Sequence, residues 1–201
     1  MSLIFLLIGK SASGKDELAR RLLADKDLDL KPVVLYTTRP MREGEKNGRE
    51  YNFIKEEERQ ALHSEGRVIE ERVYHTVFGD WYYLTVEDDK LNCDSEDDFF
   101  AINTIEDYVK YRDHFGADRV VPLYVEVSPD IRKQRAVERE MRQDQPNMAE
   151  VERRFIADEK DFSDEKIEAA GIIKRFSNDG DLDDCYEMIK NEIELKLRET
   201  H

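Results

Sequence analysis

The chain has 201 residues, with 32 Lys and Arg against 47 Asp and Glu and a formal net charge of −15. A surface this acidic repels phosphate polymers and anionic headgroups, which argues against a nucleic-acid or membrane-surface binder and leaves room for a small anion in a local basic pocket. With 39% apolar and 9% aromatic residues the chain can build a core, and its two cysteines, Cys93 and Cys185, show neither metal nor disulfide spacing and read as small apolar fillers.

An apolar run at 3–8 predicts a buried strand, too short to span a membrane, followed by a glycine-rich loop and a helical pattern through Leu23. A second strand is expected over 33–37, after the turn signal at Lys31 and Pro32. Shorter strands follow over 51–54, 68–74 and 81–85, with a polar helix over 56–64 between the first two. The acidic stretch 87–98 reads as a solvated loop. Further apolar runs at 99–102, 120–127 and 171–176 are each followed by a helical stretch, and helices are expected over 104–114, 129–142, 148–169 and 182–197. Strands alternating with helices imply a parallel α/β sheet. The β-rich stretch from about 39 to 85 interrupts that alternation and reads as an inserted substrate-binding unit. The charged helical stretch 132–154, broken at Gln145-Pro146-Asn147, reads as a lid.

Gly9-Lys-Ser11-Ala12-Ser13-Gly14-Lys15 follows the first strand and opens a helix, which is phosphate-loop spacing. Glycines there let backbone N–H groups turn inward, the helix N-terminus adds positive dipole, and Lys15 is placed to reach the β- and γ-phosphates. Where a hydroxyl residue is expected to ligate Mg2+ the chain has Asp16. A carboxylate is itself a good Mg2+ ligand, so Asp16 is the candidate metal residue, with a weakened phosphate site or a generic role at the helix N-terminus as the alternatives. Arg39 and Arg42, with Tyr51, would suit a dianionic phosphate through guanidinium forks and a phenol.

Taken with the loop, the stretch Tyr36-Thr-Thr-Arg39-Pro-Met-Arg42-Glu-Gly-Glu-Lys-Asn-Gly48-Arg-Glu-Tyr51-Asn-Phe53 resembles the guanylate kinase family. The resemblance continues through Gly66-Arg-Val-Ile-Glu70, Trp81-Tyr-Tyr83-Leu-Thr85, the lid arginines and the late Asn178-Asp-Gly-Asp-Leu182 turn. It implies an α/β, three-layer P-loop kinase fold with a parallel core sheet, an inserted mixed-β monophosphate-binding subdomain and a helical lid. The implied bounds are core 1–37, 86–130 and 156–201, subdomain 38–85 and lid 131–155. It implies ATP-dependent phosphoryl transfer to a nucleoside monophosphate, GMP or dGMP first, with Mg2+. The alternatives are another phosphorylated acceptor, such as a sugar phosphate, or a non-catalytic binding module. ATP would meet Gly9, Ser11, Ala12, Ser13, Gly14, Lys15, Asp16 and Asn178. The acceptor would meet Arg39, Arg42, Tyr51, Glu70, Tyr83, Thr85 and Asn103. Lys15, Arg135, Arg139 and Arg154 would offset charge in the transition state. The implied setting is cytoplasmic, as monomer or homodimer, with small nucleotides as the only partners.

The base-reading positions depart from the family pattern. Leu35 stands where a serine is expected, and the strand end reads Phe100-Ala101-Ile102-Asn103 where two aspartates are expected. The carboxylate missing at Ala101 and the one gained at Asp16 read as a single exchange that keeps the charge of the metal site. The four histidines show no ligand spacing.

Overall fold

The computed structural model describes residues 2–92 and 94–200, so Cys93 and His201 lie outside the described residues. β1 (Ile4–Ile8) is buried along its whole length because both of its faces are covered. Phe5 and Leu7 point into one cluster with Leu18 and Leu22 of α1 (Lys15–Ala24) and Ile189 and Ile193 of α7 (Leu182–Thr200). Ile4, Leu6 and Ile8 point into a second cluster with Tyr108 and Tyr111 of α3 (Ile105–Phe115) and Ile167 of α6 (Asp164–Ala169). This period-2 division of one continuous apolar run gives helix, sheet and helix layers. The sheet is parallel throughout, in the order β2 (Lys31–Pro32), β7 (Phe99–Asn103), β1, β8 (Val120–Glu126), β9 (Arg175–Ser177).

A second, mixed sheet runs β4 (Asn52–Phe53), β3 (Tyr36–Thr37), β6 (Gly79–Val86), β5 (Val68–Thr76). Its one face packs Tyr36, Tyr82, Leu84 and Val86 around Leu62 of α2 (Glu56–Ser64). Arg59 of α2 lies 3.6 Å over the Tyr82 ring and pairs with Glu71. The helices α4 (Pro129–Met141) and α5 (Met148–Asp161) form a hairpin beside the phosphate loop.

Three expectations are corrected. The run 33–37 is not one strand: the Val33 N–H still donates to Phe100 O in the core, whereas the Leu35 carbonyl already accepts from Asn52 N of the mixed sheet. The chain changes sheets there. The helix expected over 148–169 is two helices, because Ser163 caps α6 with its hydroxyl on Lys166 N. Gly171, expected to start a strand, follows α6 with φ +75°, the left-handed position after a helix C-terminus, and the strand starts at Arg175. Cys185 is buried as expected, and desolvation pushes its thiol up to about 11. No helix among the described residues is long and apolar enough to cross a membrane.

Candidate active site

The phosphate loop links β1 to α1 and is shaped by its small residues. A Cβ on Gly9 would lie 2.8 Å from the Val125 carbonyl oxygen, and one on Gly14, at φ +86°, 2.5 Å from Nδ2 of Asn178. Ala12 also takes a positive φ of 59°, which a non-glycine residue adopts at a cost. A cavity of about 430 Å3 opens over the loop, lined by Ala12, Ser13, Gly14, Lys15 and Asp16, by Arg135 and Arg139 of α4, and by Asn178, Gly180 and Leu182. The structure thus brings two of the three expected lid arginines to the loop. Arg135 Nη1 donates to the Asn178 carbonyl at 2.8 Å.

Lys15 is held down by burial, which lowers its pKa; the Asp16 and Asp158 carboxylates push it back up, while Arg139 and Arg132 lower it further. Asp16 is exposed at the start of α1 and faces the same cavity. Among the described residues no group of three or more acidic, His or Cys side chains could cage a metal. Mg2+ needs only one or two carboxylates beside phosphates and water, so Asp16 fits. Ala101 packs against the second core cluster and does not line this cavity.

Asn178 is nearly inaccessible, and its amide donates to Ser13 O at 2.8 Å, so it supports the loop from beneath. Ser11 is engaged from the other side: Asp158 of α5 takes its backbone N–H and its hydroxyl. Arg154 lies outside the main cavity, in a cleft with Ser11, Arg139 and Phe155, where its Nε donates to Glu150 at 2.8 Å.

Most residues expected to meet the acceptor lie on or beside the mixed sheet, while Asn103 ends β7 of the core sheet. Tyr51 and Tyr83 meet edge to face at 5.5 Å, and Arg39 lies 5.4 Å over the Tyr51 ring. Arg39 is buried, with Nη2 on Glu45 at 2.7 Å and Nη1 on the Pro40 carbonyl at 2.9 Å. The hydrogen bond and charge of Glu45 hold its guanidinium above its ordinary pKa. The Arg42 backbone N–H binds the other Glu45 oxygen, while its side chain is exposed.

The strand ladder sets Glu70 opposite Thr85, Arg72 opposite Tyr83 and Tyr74 opposite Trp81. Leu35, Tyr51, Arg72, Tyr74, Trp81 and Tyr83 line a second cavity of about 430 Å3. Glu70 lies behind it, its pKa raised chiefly by desolvation and lowered again by Arg72. Thr85 donates to Glu70 at 3.2 Å and accepts from Tyr111 at 3.0 Å. Asn103 sits buried at the end of β7, with Nδ2 unpartnered.

Sequence reasoning passed over two residues here. Arg72 carried a usable signal, since it lies two positions from Glu70 on a strand and so shares its face. Asp158 carried none, because its partner Ser11 is 147 positions away.

A family profile described as Guanylate kinase matches residues 2–90. The guanylate kinase of Neisseria gonorrhoeae is 40% identical over 84 residues, 42% of this chain and 39% of that protein, so the match spans about two fifths of that relative's length. The guanylate kinase of Porphyromonas gingivalis is 28% identical over 198 residues, covering 96% of this chain and 97% of that one. A crystal structure of guanylate kinase from Anaplasma phagocytophilum shares the fold, with a TM-score of 0.55 and 22% identity over 97% of this chain and 86% of that one. The chain is thus similar to guanylate kinases in sequence over residues 2–90, and it shares the fold of a guanylate kinase along its length.

Proposed function

We propose that the protein transfers the γ-phosphoryl group of ATP to a nucleoside monophosphate, GMP or dGMP, as the relatives' names suggest. The observation that carries this reading is the meeting of Arg39, Tyr51 and Tyr83 on a separate sheet of a chain whose core ends in a phosphate loop. One clamp suits a triphosphate and the other a terminal phosphate dianion. An acceptor oxygen attacks the γ-phosphorus in line as the bond to the β,γ-bridging oxygen breaks, and ADP leaves. Such a reaction needs alignment and charge neutralisation more than a covalent nucleophile.

Loop N–H groups and the Lys15 ammonium hold the β- and γ-phosphates. Arg135 and Arg139 neutralise charge on the transferred group, and Arg154 joins them when the α4–α5 hairpin closes. Arg42, exposed and free to swing, completes the acceptor clamp with Arg39. Asp16 is the residue to hold Mg2+, which would supply charge neutralisation to the phosphates. We assign the units as core 1–37, 86–130 and 156–201, acceptor subdomain 38–85 and lid 131–155, with Tyr36 and Thr37 at the end of the first core segment already paired into the subdomain's sheet. A soluble cytoplasmic setting suits these substrates.

A coupled ADP-release assay with ATP, Mg2+ and a panel of monophosphates tests the reading. Turnover with GMP or dGMP is expected, falling tenfold or more in Arg42→Ala, as befits loss of a charged hydrogen bond of about 1.5–3 kcal/mol. Turnover that prefers a sugar phosphate, or ATP binding without turnover on any acceptor, contradicts it.

A further inference from the structure

The cavity on the mixed sheet contains a cation that the proposed reaction leaves unused. Arg72 lines it beside Leu35, Tyr51 and Tyr83. Its one hydrogen bond is long, 3.4 Å from Nη2 to Glu70 Oε1, and Asp107 Oδ2 stands 4.0 Å from Nη1. Its Nε is buried with no partner. A guanidinium carries five N–H donors in a planar fork, so most of this one's capacity is unspent.

The other donors lining the cavity are neutral: the hydroxyls of Tyr51, Tyr74, Thr76 and Tyr83 and the Trp81 indole. Leu35 has no polar atom, and the Thr85 hydroxyl is already committed to Glu70 while accepting from Tyr111. The Glu70 side chain is 0% exposed, whereas that of Arg72 is 38% exposed. A ligand entering the cavity therefore meets the guanidinium before the carboxylate that backs it.

We infer that Arg72 reads the base of the acceptor nucleotide, donating through its fork to O6 and N7 of a 6-oxopurine. Guanine presents two adjacent acceptors on that edge. Adenine presents one acceptor and an amino donor, which would face the guanidinium N–H, and pyrimidines have no N7. Glu70 and Asp107 are positioning residues: they keep the fork aimed and balance its charge in a half-buried place. The inference rests on the reading of this chain as a nucleoside-monophosphate kinase and names the group that selects its base.

Calorimetric titration of the full chain with GMP, IMP and AMP, in the wild type and in Arg72→Met and Arg72→Lys, separates the two claims. The wild type is expected to bind GMP and IMP more tightly than AMP. In Arg72→Met the GMP-to-AMP affinity ratio falls about tenfold or more, as when a site loses matched hydrogen bonds, and the IMP-to-AMP ratio falls with it. Arg72→Lys, which keeps a charge against Glu70 but not the fork, gives an intermediate ratio and carries the comparison if the Met variant fails to bind ATP. An unchanged ratio in the variants overturns the assignment of Arg72 and leaves the kinase reading standing. A wild type that prefers AMP overturns the assignment as well. A wild type that binds ATP but none of the three overturns both.

Discussion

Asp158 accepts the backbone N–H of Ser11 at 2.9 Å and the Ser11 hydroxyl at 3.1 Å, so a helix of the lid hairpin grips the phosphate loop directly. The same carboxylate takes Nη1 of Arg132 at 2.6 Å, and Arg132 is stacked 4.2 Å from the Phe155 ring and almost wholly buried. The loop, α4 and α5 are thus joined through one carboxylate.

Asp158→Asn removes the nearer of the two carboxylates that balance the buried Arg132, leaving Glu159 at 3.0 Å, and is expected to destabilise the chain by about 1–3 kcal/mol, read from urea denaturation. Replacing both partners by apolar residues of similar size, Arg132→Met with Asp158→Leu, should recover most of that stability, yet leave the loop without its grip on Ser11 and raise the KM for ATP. Full ATP affinity in the double variant would refute the positioning role of Asp158.

Asp16 makes an unusual prediction because its effect changes sign with metal. Without Mg2+ the carboxylate repels the phosphates. Asp16→Ala should therefore bind ATP about two- to fivefold more tightly in EDTA, the size of a surface charge interaction of about 0.5–1 kcal/mol. With Mg2+ present, Asp16→Ala, which has neither carboxylate nor hydroxyl to ligate the metal, should lose the gain that the wild type shows. Nucleotide titrations with and without the metal read both halves, and equal Mg2+ dependence in the two proteins contradicts the assignment.

Gly9→Ala places a methyl carbon 2.8 Å from the Val125 carbonyl, which belongs to a central strand and cannot retreat. A loss of about 1–3 kcal/mol is expected from the strain of overpacking, with the thermal midpoint as the readout.

Asp25, at the C-terminal end of α1, accepts from Lys190 at 2.6 Å and from the Tyr186 hydroxyl of α7. The Lys190 and then the Tyr186 hydrogen bond hold its carboxyl down to about 2, against 3.8 ordinarily. A depressed carboxyl stabilises the fold above its unfolded pKa, and this contribution is lost as the pH falls through the folded one. Asp25→Asn should therefore lower the urea midpoint at neutral pH, with the difference from wild type fading between about pH 4 and pH 2. A difference that persists unchanged at pH 2 contradicts this.

Elements decided by near neighbours are legible in the sequence. The apolar run into Gly9, Gly14 and Lys15 shows its strand, loop and helix within 24 residues, because each is set by local pattern. The split of 33–37 is not legible, since nothing in Val33 or Tyr36 says which sheet will bond it; Tyr36 finds its partner at Leu84. The acceptor residues can be named from their motif, but not the fact that Glu45 occupies Arg39 or that Thr85 has spent its proton on Glu70. Those are choices among hydrogen-bond partners made only when distant strands come together.

The Glu45 contact has a consequence for how the acceptor site treats its surroundings. With Glu45 on Arg39, the buried half of the phosphate clamp is electrically balanced at rest. On the proposed reading of this clamp, inorganic anions would compete with an internal carboxylate for Arg39. A weak monoanion gains too little from the exchange, whereas a phosphate dianion fixed in place by its nucleoside has both the charge and the tether to complete it. Discrimination at this end of the pocket is then set by a threshold for entry, and it operates before the base is examined.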